Sequence, residues 1–242
     1  MDIGTSTILA NVPVGRWPVG IAVTPDGTLA FVANQMANTV SVIDTLTFEV
    51  IATMAVGRPP SGAPWGVATS PNGKYVYVTL EETGNVSVID TASLMVVGNI
   101  NVGNVPTGVA FSPDGTRAYV ANWGAGRSAT VSVIDAEAMT TVDTVIVGLG
   151  PIGLAVTPDG NRVYVACWEG ARVAVLDTAT HRVTGSIPLN HPFWLAITPD
   201  GAFVYVSEWS SNTVSVIETK TNTVVITIPV GPAPLGVTIA PQ

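Results

Sequence analysis

The sequence predicts an all-β propeller, and three observations carry the prediction. One word recurs five times: Phe31-Val32-Ala33-Asn34, Tyr77-Val78-Thr79, Tyr119-Val120-Ala121-Asn122, Tyr164-Val165-Ala166-Cys167 and Tyr205-Val206-Ser207-Glu208. Before each word stands a turn opened by Pro25, Pro71, Pro113, Pro158 or Pro199, at spacings of 46, 42, 45 and 41 residues. Pro241, 42 residues on, marks a sixth. A second marker keeps step: Gly15, Gly57, Gly103, Gly148 and Gly231 close a Val-Gly word, and Asn190 takes that place in one unit. A period of about 40–45 residues with four strands per unit is the mark of a propeller blade.

Each unit reads as four strands. In the second unit, strand a is expected over 65–70, b over 75–80, c over 85–91 and d over 95–102. These segments are rich in Val, Ile, Thr and Tyr, which suit a pleated surface. Consecutive apolar residues, as in Tyr75-Val76-Tyr77-Val78, suit a strand covered on both faces. Gly and Pro interrupt the chain too often for a long helix. The a–b link Ser112-Pro113-Asp114-Gly115 fits a type I turn. The c–d link Asp90-Thr91-Ala92-Ser93 carries residues that bond their own backbone in turns.

These words resemble the YVTN-type β-propeller repeat, found in surface-layer-associated and YncE-like proteins. Tyr77-Val78-Thr79, the Pro-Asp-Gly turns and Ser41-Val42-Ile43-Asp44, Ser87-Val88-Ile89-Asp90 and Ser132-Val133-Ile134-Asp135 carry the resemblance. So does Thr221-Asn222-Thr223-Val224-Val225 followed by Ile228-Pro229-Val230-Gly231. The resemblance implies a propeller and a place at the cell surface or outside the cytoplasm. It implies no catalytic residues, because the shared motif is structural. Complete family members usually have about seven blades, and this chain departs from that count.

The expected domain is single, over residues 1–242. It holds five complete repeats between a d-like strand at 7–14 and an a-like strand at 235–240. Those two run antiparallel, so the expectation is that they pair as a reduced sixth blade and close the ring. That would hide an open edge. The alternatives are that the chain is a fragment of a larger propeller, or that a partner chain supplies the missing strands; self-association through the terminal strands is a further expectation.

Hydrophobic residues make up 47% of the chain and charged ones 11%, with a net charge of −8. That balance suits a packed sheet protein. Nine Lys and Arg, scattered, argue against nucleic acid as a partner. No apolar run reaches the roughly 20 residues of a membrane helix, and no signal peptide is visible. The lone Cys167 cannot form an internal disulfide.

Strand alternation puts the d–a and b–c loops at one end of the ring and the a–b and c–d turns at the other. The turn end is monotonous, whereas the loop end varies from blade to blade. Variation on a repeated scaffold points to function. Trp123, Trp168 and Trp209 share one register after strand b, where Gln35 and Glu81 stand in the first two units. Trp65 and Trp194 lie near d–a junctions, and Trp17 precedes another. Trp is favoured at binding hot spots. The plain alternative is that these rings plug the space between blades. Arg58, Arg127 and Arg172 lie in or beside the same end. Trp194 also breaks the repeat, standing where other units have Gly20, Gly66, Gly108, Gly153 and Gly236.

The chemistry is sparse. There is no phosphate loop, nucleophile elbow or zinc signature. Of two histidines, His181 falls at the turn end and His191 in a d–a link. Cys167 reads as a small buried hydrophobe rather than a reactive thiol. The leading expectation is a non-enzymatic binding or scaffold propeller. It would engage a protein, peptide or glycan through Trp65, Trp123, Trp168, Trp194, Trp209, Arg58, Arg127 and Arg172, without a cofactor. The alternative is a metal-assisted hydrolase or lyase, with His191, Glu81, Glu169 and Glu208 converging on the central opening. A third is a self-assembling structural protein.

Overall fold

A computed structural model describes residues 5, 7–57, 62–124 and 129–239. These residues build five four-stranded sheets, each with its strands in chain order and antiparallel. The first blade holds β1 (Pro18–Val23), β2 (Leu29–Asn34), β3 (Thr39–Asp44) and β4 (Glu49–Ala55). The second holds β5 (Pro64–Thr69), β6 (Tyr75–Leu80), β7 (Asn85–Asp90) and β8 (Met95–Asn101). The third holds β9 (Pro106–Phe111), β10 (Arg117–Asn122), β11 (Thr130–Asp135) and β12 (Thr140–Ile146). The fourth holds β13 (Pro151–Val156), β14 (Arg162–Cys167), β15 (Arg172–Asp177) and β16 (Arg182–Pro188). The fifth holds β17 (Pro192–Ile197), β18 (Phe203–Glu208), β19 (Thr213–Glu218) and β20 (Thr223–Pro229). A single 3₁₀ turn, Gln35–Ala37, fills the first b–c loop. No described helix is long and apolar enough to cross a membrane.

The apolar words become the cores between blades. Four buried clusters lie between successive sheets. Each draws on the aromatic residue of strand b, Phe31, Tyr77, Tyr119 or Tyr164, none more than 2% exposed. The Tyr77 hydroxyl donates to the Ala136 carbonyl and the Tyr164 hydroxyl to Asn222 Oδ1, each in the following blade. Burial holds Tyr77 up to about 12.

The turn end is built by carboxylates. Asp114 Oδ1 accepts from the Ser112 hydroxyl at 2.6 Å and the Thr116 amide at 3.0 Å, and Gly115, at φ +71°, closes the turn on the Ser112 carbonyl. In the c–d link Asp90 Oδ1 accepts from the Ser93 amide while the Leu94 amide bonds the Asp90 carbonyl. This link ends in left-handed backbone at Phe48, Leu94, Met139, His181 and Asn222. Asn222 and His181 are of types enriched there, and at Phe48, Leu94 and Met139 the Asp-centred hydrogen bonds of the link hold the backbone in place.

The described terminal residues do not form the expected reduced blade. Thr7 holds one isolated bridge, and 8–14 and 235–239 carry no strand. The reason is positional. Strand a sits at the hub and strand d at the rim, with b and c between them. Without those two strands, the gap is about three strand spacings, roughly 14 Å.

Candidate functional site

At the loop end, the first residue after strand b bonds the residue that precedes strand a of the same blade. Gln35, Glu81, Trp123, Trp168 and Trp209 donate their amides to the carbonyls of Trp17, Ala63, Val105, Gly150 and His191. Each acceptor residue has positive φ and is followed by proline. These bonds fix the two loop families into one surface.

None of the six tryptophans is buried, and Trp17 and Trp209 are exposed. Trp65, Trp123, Trp168 and Trp194 are half-buried, and Trp168 of the fourth blade packs against rings of the fifth. Trp168 is the centre of a cluster. Its ring lies 5.1 Å from His191, 5.4 Å from Trp209 and 5.6 Å from Phe193, the last edge-on. Such offset and edge-to-face pairs are the favoured aromatic geometries.

Phe193 also faces inward. Together with Trp194, Trp17, Trp65 and Leu235 it lines a cavity of about 910 Å³ whose walls come from β1, β5, β17 and 235–238. The glycines of strand a explain its position. A Cβ at Gly20, Gly66 or Gly108 would stand 2.2, 2.2 or 2.5 Å from the carbonyl oxygen of Trp65, Thr107 or Ile152 on the next blade. Glycine thus lets the hub strands close tightly. Trp194 occupies that register on β17, and the following unit's Gly236 meets nothing within 4 Å. The hub is closed at four junctions and open at the fifth, where the repeat is broken. The smaller clefts between a–b turns, about 350 and 320 Å³, repeat from blade to blade and belong to the scaffold.

The charged candidates do not converge. Glu208 is buried in the register of Asn34 and Asn122, whose amides donate to the strand-c hydroxyls of Thr39 and Ser41 or Thr130 and Ser132. Its carboxylate replaces them, accepting from the Ser215 and Thr213 hydroxyls and the Asn190 amide. Glu81 accepts from Gln35 Nε2 at 2.6 Å, and burial pushes its carboxyl above the ordinary carboxylate range. Glu169 is exposed beside Gly150. Among the described residues no three His, Cys, Asp or Glu side chains stand together as an ion's ligands.

His191 Nδ1 is buried without a hydrogen-bond partner, as is Arg172 Nε. Arg172 Nη2 donates to the Val147 carbonyl at 2.6 Å. Cys167 is buried, and desolvation raises its thiol to about 11. Arg58 and Arg127 lie outside the described residues, as does Pro241. Sequence reasoning passed over the apolar walls Val19, Ile21, Val23 and Leu235. The one signal for them was the unfinished sixth unit beside the Trp194 break.

Residues 20–117 match the family model of the YncE-like beta-propeller. Residues 71–192, about half of the chain, match that of the cytochrome D1 heme domain. No curated protein matches the chain. Among solved structures, a functionally unknown protein from Desulfotomaculum acetoxidans DSM 771 superposes with TM-score 0.74 at 22% identity, covering 93% of this chain and 75% of that one. Hydrazine synthase of Kuenenia stuttgartiensis superposes with TM-score 0.69 at 20% identity, covering 97% and 93%. Both show the fold.

A haem needs an axial ligand to iron, and its carboxylates suit cationic partners. The described cavity lining holds no His, Cys, Met, Tyr, Lys or Arg. His191 packs on Trp168, and His181 Nδ1 bonds Asp143 at the turn end. These residues do not fit a haem in this cavity. Between them the two models match residues 20–192, and the described residues form five four-stranded antiparallel sheets; the chain belongs to the YncE/YVTN-type β-propeller family.

Proposed function

We propose that the chain is a non-enzymatic binding propeller that captures a protein or peptide on its tryptophan-rich end, outside the cytoplasm. One observation carries the reading: all six tryptophans stay solvent-accessible, and Phe193 links the Trp168 cluster to an apolar hub cavity. Aromatic rings around a desolvated pocket are the usual anchors of an interface. The cavity's described lining is almost wholly aliphatic or aromatic, which favours an apolar peptide side chain over a glycan. The metal-assisted reading lacks comparable support, because the Glu208 carboxylate is held inside its own sheet.

The test is selection of binding peptides from a random display library, followed by titration of a chosen peptide with tryptophan emission as readout. Trp65→Ala/Trp194→Ala should weaken binding at least 30-fold, as the loss of a hot spot does. The triple change Trp123→Ala/Trp168→Ala/Trp209→Ala should weaken it as well, with the circular dichroism of the sheets unchanged. Binding unaffected by both sets would remove the proposal.

A further inference from the structure

Four rings of the fourth and fifth blades form one ridge on the loop end. The Trp168 ring lies 5.1, 5.4 and 5.6 Å from those of His191, Trp209 and Phe193. Hydrogen bonds fix the loops that carry them. The Trp168 amide donates to the Gly150 carbonyl at 2.8 Å, and the Trp209 amide to the His191 carbonyl at 3.4 Å. Asn190 Nδ2 donates to the Ser211 hydroxyl at 2.9 Å, joining the d–a and b–c loops of the fifth blade. The rings are thus set before a ligand arrives, which lowers the ordering cost of binding. Trp209 is 42% exposed and Trp168 is half-buried, so the ridge has a packed side and a wet side.

The hydrogen bonding of the ridge is one-sided. An indole Nε1–H is a donor with no acceptor. Among the described residues neither the Trp168 nor the Trp209 Nε1–H meets an acceptor, and neither is sealed from solvent. The carbonyls that border the ridge are already engaged. Leu149 accepts from the Gly170 amide at 3.0 Å, while Gly150 and His191 accept from Trp168 and Trp209. The described b–c loop residues carry charge of one sign, at Glu81, Glu82 and Glu169, and exposed Glu169 directly follows Trp168.

Resting on the reading of the chain as a peptide binder, we infer that this ridge docks a proline-rich segment in the polyproline II conformation, flanked by a lysine or arginine. Proline offers a carbonyl acceptor and no N–H. In polyproline II those carbonyls have no internal partner and stand free for the indole donors. An extended segment of other residues would bring an N–H at every step to a border whose carbonyls are taken. A sugar would bring hydroxyl donors with the same need. Pyrrolidine rings supply apolar surface for the indole faces, as where aromatic-lined grooves take such segments. The flanking cation answers the Glu169 carboxylate and the negative sign of the loops around it.

The test is calorimetric titration of the whole chain with acetyl-lysyl-decaproline amide. Saturable one-to-one binding is expected, and a flexible lysyl peptide of alternating glycine and serine should not bind. Trp168→Ala should weaken binding about 10-fold or more, and so should Trp209→Ala, at an exposed ring whose loss spares the core. Trp168→Phe keeps a ring and loses the donor, and should bind about 3-fold more weakly than the parent. Glu169→Gln should erase the advantage of lysyl-decaproline over uncharged decaproline. If a library-selected peptide binds and lysyl-decaproline does not, this inference falls and the peptide-capture reading stands; if neither binds, both fall. Parent-like binding by both alanine variants, or equal binding of the flexible peptide, would also overturn the inference.

Discussion

Four junctions between blades are sealed and one is open, although all five are made from the same repeated words. At a sealed junction the strand-b aromatic residue (Phe31, Tyr77, Tyr119 or Tyr164) is buried, a tyrosine hydroxyl is met in two cases by the next blade, and a glycine brings the hub strands together. At the open one Tyr205 is half-buried, Trp194 replaces the glycine, and Leu235 stands without a ladder. The difference teaches that a residue's energetic weight is set by its neighbour blade. It also shows where a scaffold of nearly identical parts becomes distinctive.

The largest contrast expected is at the tyrosines. Tyr164→Ala should cost about 3–5 kcal/mol, because it empties a sealed core. Tyr205→Ala should cost less than half of that. Urea denaturation of the two variants decides the matter, and equal losses would mean that the fifth junction is covered like the others.

The hub glycines give a smaller contrast. Gly108→Ala places a Cβ 2.5 Å from the Ile152 carbonyl oxygen and should cost about 1–3 kcal/mol. Gly236→Ala meets nothing and should fall within about 0.5 kcal/mol of the parent. Thermal melts of both would sharpen the claim that the hub is tight on one side alone.

Glu208 offers a third comparison. Glu208→Ala strands the Ser215 hydroxyl and the Asn190 amide and should cost about 1–3 kcal/mol. Glu208→Gln should be milder, since Asn fills this register at Asn34 and Asn122. A loss of peptide binding from Glu208→Gln without a loss of stability would instead return Glu208 to the site.

The smallest effects, residue by residue, concern acid at the turn end. Thr24, Ser112, Thr157 and Thr198 hydroxyls hold Asp26, Asp114, Asp159 and Asp200 below the usual carboxylate range. Backbone amides do the same for Asp44, Asp90 and Asp135, and the Thr180 hydroxyl for Asp177. A depressed folded pKa contributes stability above the unfolded value of about 3.9 and loses it as pH falls through the folded value. The melting temperature should therefore hold from pH 7 to 5 and fall below pH 4. Asp114→Asn should make that fall slightly shallower. A melting temperature rising on acidification would show that these turns do not behave so.

The strands were legible in the sequence to within a residue or two. Tyr75–Leu80 and Asn85–Asp90 lie where 75–80 and 85–91 were expected, because turn chemistry brackets each one. The site was legible in part. Trp194 announced itself by breaking a glycine register, and Trp168, Trp209 and His191 do meet. Glu208 misled, because its word ends in Asn twice elsewhere and only the sheet shows that the carboxylate does the amide's work.

Local words determined the blade by themselves: short strands apolar at consecutive positions, Asp-centred turns and a glycine wherever a neighbouring carbonyl must come close. These are short-range demands, met within a unit or between adjacent units. Whether the first unit meets the last is a property of the closed path, the sum of every blade's twist and spacing, and no single repeat encodes it. Only the tertiary structure decided that the hub opens beside Trp194. It alone left Ile21 and Ile228 exposed, because burial depends on what lies across a junction and not on the residue that faces it.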